Sequence, residues 1–410
     1  MRAHGRPGFG IPSALTPLVL ALVLVLATVS PALAARPQDR VSECKLPGTT
    51  GWHDEGHDTD FDVFLRPKGR LRAVMLFVDF PNAPASEAPP GLRRTDPYYD
   101  WLAPAAGWLR TTSYGKVRLR ITPVDTWYRM SRPDFAYGMD RGITFDEPVE
   151  YIAEAVALAD DDVDFSRYEI VYIVTPRNAT AISNSPGFID TSDDRVLADG
   201  VAVTHGATFG QNIWEWGAVG YRVLAHETGH IFSLPDLYAF DGGDIHRYVG
   251  GWNLMGTLSN PAPDLFAWEK WKLGWLTDAQ VVCVDEPGTR RIRLTAVERR
   301  GGTKLVVVPT GPSAAYVIES RRAIGNDADA CSTGVLIYRV DSAVPTGFGP
   351  VRVVDATPGD LTEPPCTDLD VATFGRGGRP KAFRDTDIGL IVRVKRQTGT
   401  DDYLSVTLRR

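Results

Sequence analysis

The stretch HETGHIFSLPD, His226 to Asp236, sets two histidines four residues apart around a glutamate. On an α-helix that spacing stacks His226 and His230 one turn apart on the same face, so both imidazoles can serve one ion. Glu227, next to the first histidine, then leans over the ion without binding it. Two histidines alone hold a metal poorly, so a third ligand has to come from beyond the helix. Asp236 meets that need if the helix ends near Phe232 and the chain folds back, a break with which Pro235 is consistent. Two imidazoles and a carboxylate suit catalytic zinc, which keeps an open position for water and lowers its pKa toward about 7. Glu227 is then the candidate general base, accepting the proton as that water attacks a carbonyl. Tyr238, two residues past Asp236, is placed as a group behind the ligands.

The motif needs a helix to carry it, and one is expected from about Trp216 to Phe232 with Val219, Val223 and Leu224 as packing residues. Upstream, AVMLFVDF (Ala73 to Phe80) has the length of a buried strand, and VRLRI (Val117 to Ile121) alternates as a half-solvated one should. Between them, YYDWLAPAAGWLRTTSYG predicts a helix interrupted by Pro104 and ended near Gly115. Glu147 to Ala159 predicts a second helix and Ile170 to Val174 a buried strand. GVAVTH, Gly200 to His205, is expected as a short edge strand able to align an extended substrate by strand addition. Strands alternating with helices predict an α/β (α+β) catalytic domain with a mixed sheet over residues 70–278. After Leu276 come RIRL, KLVVVP, YVIES and VLIYRV, then IGLIVRVKR and YLSVTLRR, with Gly, Pro and Asp clusters between them. That pattern predicts a β-rich C-terminal domain, 279–410, of sandwich or barrel type.

HETGHIFSLPDLY, followed by GGWNLMG and PAPDLFAWEKWKLGW, resembles the immune-inhibitor-A-like secreted metallopeptidases. These are zincins, zinc endopeptidases of bacteria whose motif replaces the usual third histidine by aspartate, as in the small snapalysin-like proteases. LFVDFP, TSYGK, YVIESRR and GVLIYRVD extend the resemblance over about residues 70–345. Carried over, it implies a zincin-like catalytic domain in which His226, His230 and Asp236 bind zinc, Glu227 is the base and Met255 forms the turn beneath the metal. Ser233 stands where the family usually has glycine. A left-handed backbone there would cost a serine about 1–2 kcal/mol.

The rest of the chain sets the context. Residues 1–34 read as a signal peptide: Arg2 and Arg6 precede an apolar run from Leu18 to Val29, and Ala32-Leu33-Ala34 supplies a cleavage site. Secretion gives Cys44, Cys283, Cys331 and Cys366 an oxidising compartment in which two disulfides form, with all three pairings open. The net charge of -7, without long single-sign blocks, argues against nucleic acid or an anionic membrane as partner. Protein or peptide substrates remain. Residues 35–69 are polar and rich in Pro, Gly and Asp, which predicts an N-terminal arm or short pro-segment without compact order of its own. Its HDEGH, His53 to His57, repeats the histidine spacing without the glutamate and is expected to be solvated, the sharper alternative being a pro-segment that masks the zinc. Acidic runs at Asp160 to Asp164, Asp190 to Asp194 and Asp241 to Asp244 could ligate a structural Ca2+, although none has EF-hand spacing. His205 and His246 are expected to bond locally. The sequence thus predicts a secreted zinc-dependent endopeptidase; the alternatives are a non-catalytic binding protein on the same scaffold and a zinc hydrolase of a non-peptide bond.

Overall fold

The structure, a computed structural model, describes residues 40–48, 53–140, 146–193, 195–259, 261–359, 362, 366–375 and 377–409. The expected signal segment lies outside them. The protein is mixed α/β and β-rich. A first sheet is built from β1 (Gly69–Asp79), β2 (Val117–Arg129), β3 (Ile170–Val174), β4 (Gly187–Ile189) and β7 (His205–Phe209) in the order β2-β1-β3-β7-β4. All neighbours are parallel except β4, which runs antiparallel to β7 at the edge. β5 (Leu197–Ala198) and β6 (Val201–Ala202) form a separate two-stranded ribbon.

The period of two along β1 explains the layers. Ala73, Met75 and Phe77 belong to one apolar cluster and Val74, Leu76 and Val78 to another, so both faces of the sheet are buried. Helix α2 (Asp146–Ala159) covers the second face with Tyr151, Ile152, Ala155 and Val156, which recur at helical spacing. Helices α1 (Leu102–Thr112) and α4 (Tyr221–Ile231) pack on the first. Pro104 does not interrupt α1; it lies in the first turn, where no backbone N–H has an intrahelical partner to lose.

Two expectations are corrected here. The long helix predicted from Trp216 is broken: α3 (Asn212–Glu215) and a 3₁₀ turn precede α4, and Gly217 between them has φ 50°, which a continuous helix excludes. GVAVTH is not the edge strand. Val201 and Ala202 pair within the ribbon, Val203 is buried, and from His205 the chain enters the sheet between β3 and β4. The edge is β4, three residues between Pro186 and Asp190, too short to carry a periodic signal.

After α5 (Ala267–Lys272) come β8 (Val281–Cys283) and β9 (Gly288–Thr295), then β10 (Leu305–Pro309), β11 (Ala314–Arg321), β12 (Gly334–Asp341) and β13 (Val351–Val353). The last three strands are β14 (Ala382–Asp385), β15 (Leu390–Gln397) and β16 (Asp401–Leu408). They form two sheets, β13-β12-β11-β10-β8 and β14-β15-β16-β9, which enclose a core of Ile292, Leu294, Val306, Ile337, Val392 and Val406. The opposite face of the first of these sheets, with Val307, Val317, Leu336 and Tyr338, joins the same cluster as Leu224, Trp252 and Trp268. The change from helix to strand near residue 278 is therefore not a gap between cores: Pro37–Arg410 is one compact unit.

The described parts of the N-terminal arm, residues 40–48 and 53–69, are ordered, against expectation. Val41, Cys44 and Leu46 are buried in the main cluster, Cys44 is disulfide-bonded to Cys283, and Cys331 to Cys366. Trp268 and Trp275 donate their indole N–H groups to Glu55 O (3.0 Å) and Pro67 O (2.9 Å), and Leu65 N–H reaches Ile231 O at 3.0 Å. His57 is wedged edge-on between Trp268 and Trp271 at 4.4 and 4.1 Å. Such order comes from partners more than 150 residues away, so local composition gave no sign of it. Among the described residues no helix is long and apolar enough to cross a membrane.

The seam is held by Arg321 on β11. Its guanidinium is fully buried, pairs with Glu319 (2.9 Å) and Asp327 (2.7 Å), and donates to Trp252 O at 3.0 Å and Asp264 O at 3.2 Å. Arg321→Met leaves those carboxylates buried without their cation. A loss of about 3–5 kcal/mol is expected, read as a lowered denaturant midpoint.

Candidate metal centre

α4 presents His226 and His230 one turn apart, both largely buried. His226 Nδ1 lies 3.1 Å from Leu254 O and His230 Nδ1 lies 2.8 Å from Leu234 O. A carbonyl only accepts, so each Nδ1 is the protonated nitrogen and each neutral imidazole turns its Nε2 lone pair inward. There the lone pairs meet the Asp236 carboxylate, whose Oδ1 is 3.0 Å from His226 Nε2 and 3.3 Å from His230 Nε2. One ligand atom from each of the three lies within 4.8 Å of the others. Three acceptors facing one point repel unless a proton or a cation stands between them. A tetrahedral zinc with bonds of about 2.0–2.2 Å separates its ligand atoms by about 3.3–3.6 Å, which the His230–Asp236 pair meets and the His226–Asp236 pair falls a little short of; the donor set suits the ion.

The electrostatics carry the same message. Burial alone would push the His230 imidazole down, but the Asp236 carboxylate overrides it and lifts it to about 9. Burial would raise Asp236, and the two histidines instead hold it well below the usual carboxylate range. Glu227, the next residue on the helix, is buried and raised by that burial, which the histidines only partly offset. Its carboxylate faces the Gly187 N–H of β4. A Cβ at Gly187 would come within 3.1 Å of both Glu227 O and His230 Cβ, so glycine lets the edge strand lie this close to the helix without displacing it.

Asp236 reaches the histidines because α4 stops abruptly. Ser233 takes φ 81° and Leu234 N–H returns to Gly229 O at 3.0 Å, closing the helix with a left-handed residue. The conformation suspected at Ser233 is therefore present. The buried Lys272 ammonium donates to Ser233 O (2.7 Å) and to Asp54 O, tying turn and arm together. Met255 is buried against the helix: a Cβ on Gly229 would lie 2.9 Å from its sulfur, and its carbonyl accepts from Leu237 N–H at 2.9 Å. Tyr238 stands outside the ligands with its ring 6.3 Å from that of His226, and Phe240 and Phe348 continue the row outward.

Several residues of the site carried no signal of their own in the sequence. Thr346 Oγ1 accepts from Asp236 N–H at 2.8 Å, Gly347 N–H donates to Asp236 O at 3.0 Å, and Phe240 N–H returns to Gly347 O at 2.9 Å. The third ligand is thus held from the β-rich half. Gly347 has φ 75° with the Phe240 ring where a Cβ would be, which leaves room for glycine alone. His53 is not solvated. It is half-buried with its ring 5.3 Å from that of His230, and its Nε2 bonds His230 O at 3.1 Å, so it braces the helix end. Burial holds it neutral, at about 3. His205 bonds Thr204 Oγ1 and Val63 O, as a local role requires.

Among the described residues the acidic runs form no group of three metal-binding side chains: Asp190 caps Ser192, Asp241 pairs with Arg247 and Asp162 accepts from Tyr128. Among the described residues His226, His230 and Asp236 are the one group of three metal-binding side chains. No protein-family model matches the chain, and no curated protein matches it.

Ser233→Gly should relieve the left-handed strain and raise stability by about 1 kcal/mol with zinc stoichiometry unchanged, read by thermal melting and metal analysis. A destabilised variant would show that the serine side chain is needed at the turn.

Proposed function

We propose that the protein is a secreted zinc-dependent endopeptidase of the zincin type, akin to the immune-inhibitor-A-like metallopeptidases. The observation that carries this reading is the convergence of His226 Nε2, His230 Nε2 and Asp236 Oδ1 on one point, with the Glu227 carboxylate on the adjacent residue. Zinc held there supplies a Lewis acid that polarises a carbonyl and acidifies water. Glu227, raised by burial, accepts the proton of the attacking water and passes it to the leaving amine. Among the described residues β4 pairs with a strand on one side only, and its other edge aligns an extended peptide above α4. Phe240 and Phe348, exposed beside Tyr238, offer apolar surface to a substrate side chain. The two disulfides fit an oxidising compartment.

The first test compares casein hydrolysis and zinc content of the mature protein with those of Glu227→Gln. Activity should fall by about 10² to 10⁴ while zinc is retained. A zinc-loaded wild type inert on casein and on peptide libraries would overturn the reading.

A second substitution probes the substrate strand. Ladder bonds at Pro186–Thr208 and Asp190–Thr204 leave the N–H of Ile189 directed away from β7. Ile189→Pro should raise KM about tenfold or more with zinc retained, since one substrate hydrogen bond is lost and the edge distorted; unchanged kinetics would remove β4 from substrate binding.

A further inference from the structure

The chain is acidic, at -7, yet one face of its β-rich half is strongly basic. β9 alternates: Ile292 and Leu294 are buried in the sandwich core, while Arg291 and Arg293 point outward and are exposed. The turn after β9, closed by Thr295 N–H on Thr303 O at 2.8 Å, brings Arg299 and Arg300 to the same place. With Arg290 they line a cleft of about 810 Å³. Thr295, Thr303 and Thr400 complete its polar lining; the hydroxyls of Thr295 and Thr400 donate to its single carboxylate, Asp401, and keep their lone pairs as acceptors, and Asp401 is also paired with Arg293 at 3.0 Å.

Register extends the face across the sheet. Arg393 of β15 and Arg291 of β9 both lie opposite Ser405, and Arg396 and Arg293 both lie opposite Tyr403. Arginines thus flank β16 two strands apart, about 9.6 Å. Among the described residues Arg290, Arg291, Arg299 and Arg300 enter no ion pair, so these charges do not hold the fold together. A surface shaped only for solubility would mix signs; a one-sign cleft in an acidic protein concentrates an attractive field for anions.

We propose that this cleft and the adjoining outer face of β15 and β16 bind a linear acidic polysaccharide, its carboxylates or sulfates taken by the arginine forks and its hydroxyls by the threonines. The lining argues against other polyanions. Single-stranded nucleic acid needs open aromatic faces for stacking; the cleft has no aromatic side chain, and the Tyr403 ring is covered by the Arg396 guanidinium at 4.1 Å. A membrane surface needs apolar side chains to insert, and the exposed large ones, Phe135, Leu158, Leu197, Phe240, Ile245 and Phe348, all lie elsewhere. This inference is independent of catalysis.

The test measures binding of the full mature protein to alginate (carboxylated) and heparin (sulfated), with dextran, poly-glutamate, single-stranded DNA and anionic phosphatidylserine vesicles alongside. Wild type should bind at least one acidic polysaccharide, not dextran, and lose about tenfold or more in affinity between 50 and 200 mM salt. Which of the two binds better tells carboxylate from sulfate. The triple variant Arg291→Ser, Arg299→Ser, Arg300→Ser should lose about tenfold or more with unchanged Tm and unchanged peptidase activity, and lysines at the same positions should restore part of it. No binding to either polysaccharide at 50 mM salt, a triple variant that binds like wild type, or equal or tighter binding of poly-glutamate, DNA or vesicles would overturn the proposal.

Discussion

Two imidazole nitrogens and a carboxylate oxygen are brought to one point, with Asp236 Oδ1 3.0 and 3.3 Å from the two nitrogens, and much of the surrounding structure keeps them there. Left alone they would repel and drift apart. Carbonyls of Leu254 and Leu234 fix the rings by their far nitrogens, and the left-handed Ser233 turns the chain at the helix end. Lys272 pins that turn from below. Each device is a small energetic term, and together they pre-arrange the three side chains.

The division into a helical half and a β-rich half is convenient for description but has little physical content. Asp236 belongs to the first by sequence and is held through its backbone by Thr346 and Gly347 of the second. The turn that carries Met255 is likewise tied by Arg321, which extends from a strand of the sandwich. Apolar packing runs without interruption through both. Contacts from the turn between β12 and β13 thus give the Asp236 backbone a second anchor besides the loop it sits on.

What the sequence disclosed follows the range of the interactions. The histidine pair, Glu227 and the carboxylate ten residues on were legible because a helix repeats locally, and strands such as Ile170–Val174 announced themselves by continuous burial. The stress at Ser233 was suspected only because the resembling family usually has glycine there; a serine alone gives no such sign. β4 was missed for lack of length, and its Gly187 means nothing until α4 lies beneath it. The N-terminal arm misled for the opposite reason: its residues have poor local propensity, yet Cys44, Glu55, His57 and Leu65 find partners far along the chain. The outward arginines were visible as letters, but only strand register shows that they share a face.

The bonds from Thr346 and Gly347 to Asp236 also bear on the order of events during synthesis. A ribosome releases the two histidines more than a hundred residues before it releases the segment that fixes the third ligand, and loop closure over that distance is slow. Until the sandwich has formed, the growing chain holds its two imidazoles without a clamped carboxylate. The three side chains thus come together only after the sandwich strands have emerged and folded, when few flexible segments remain.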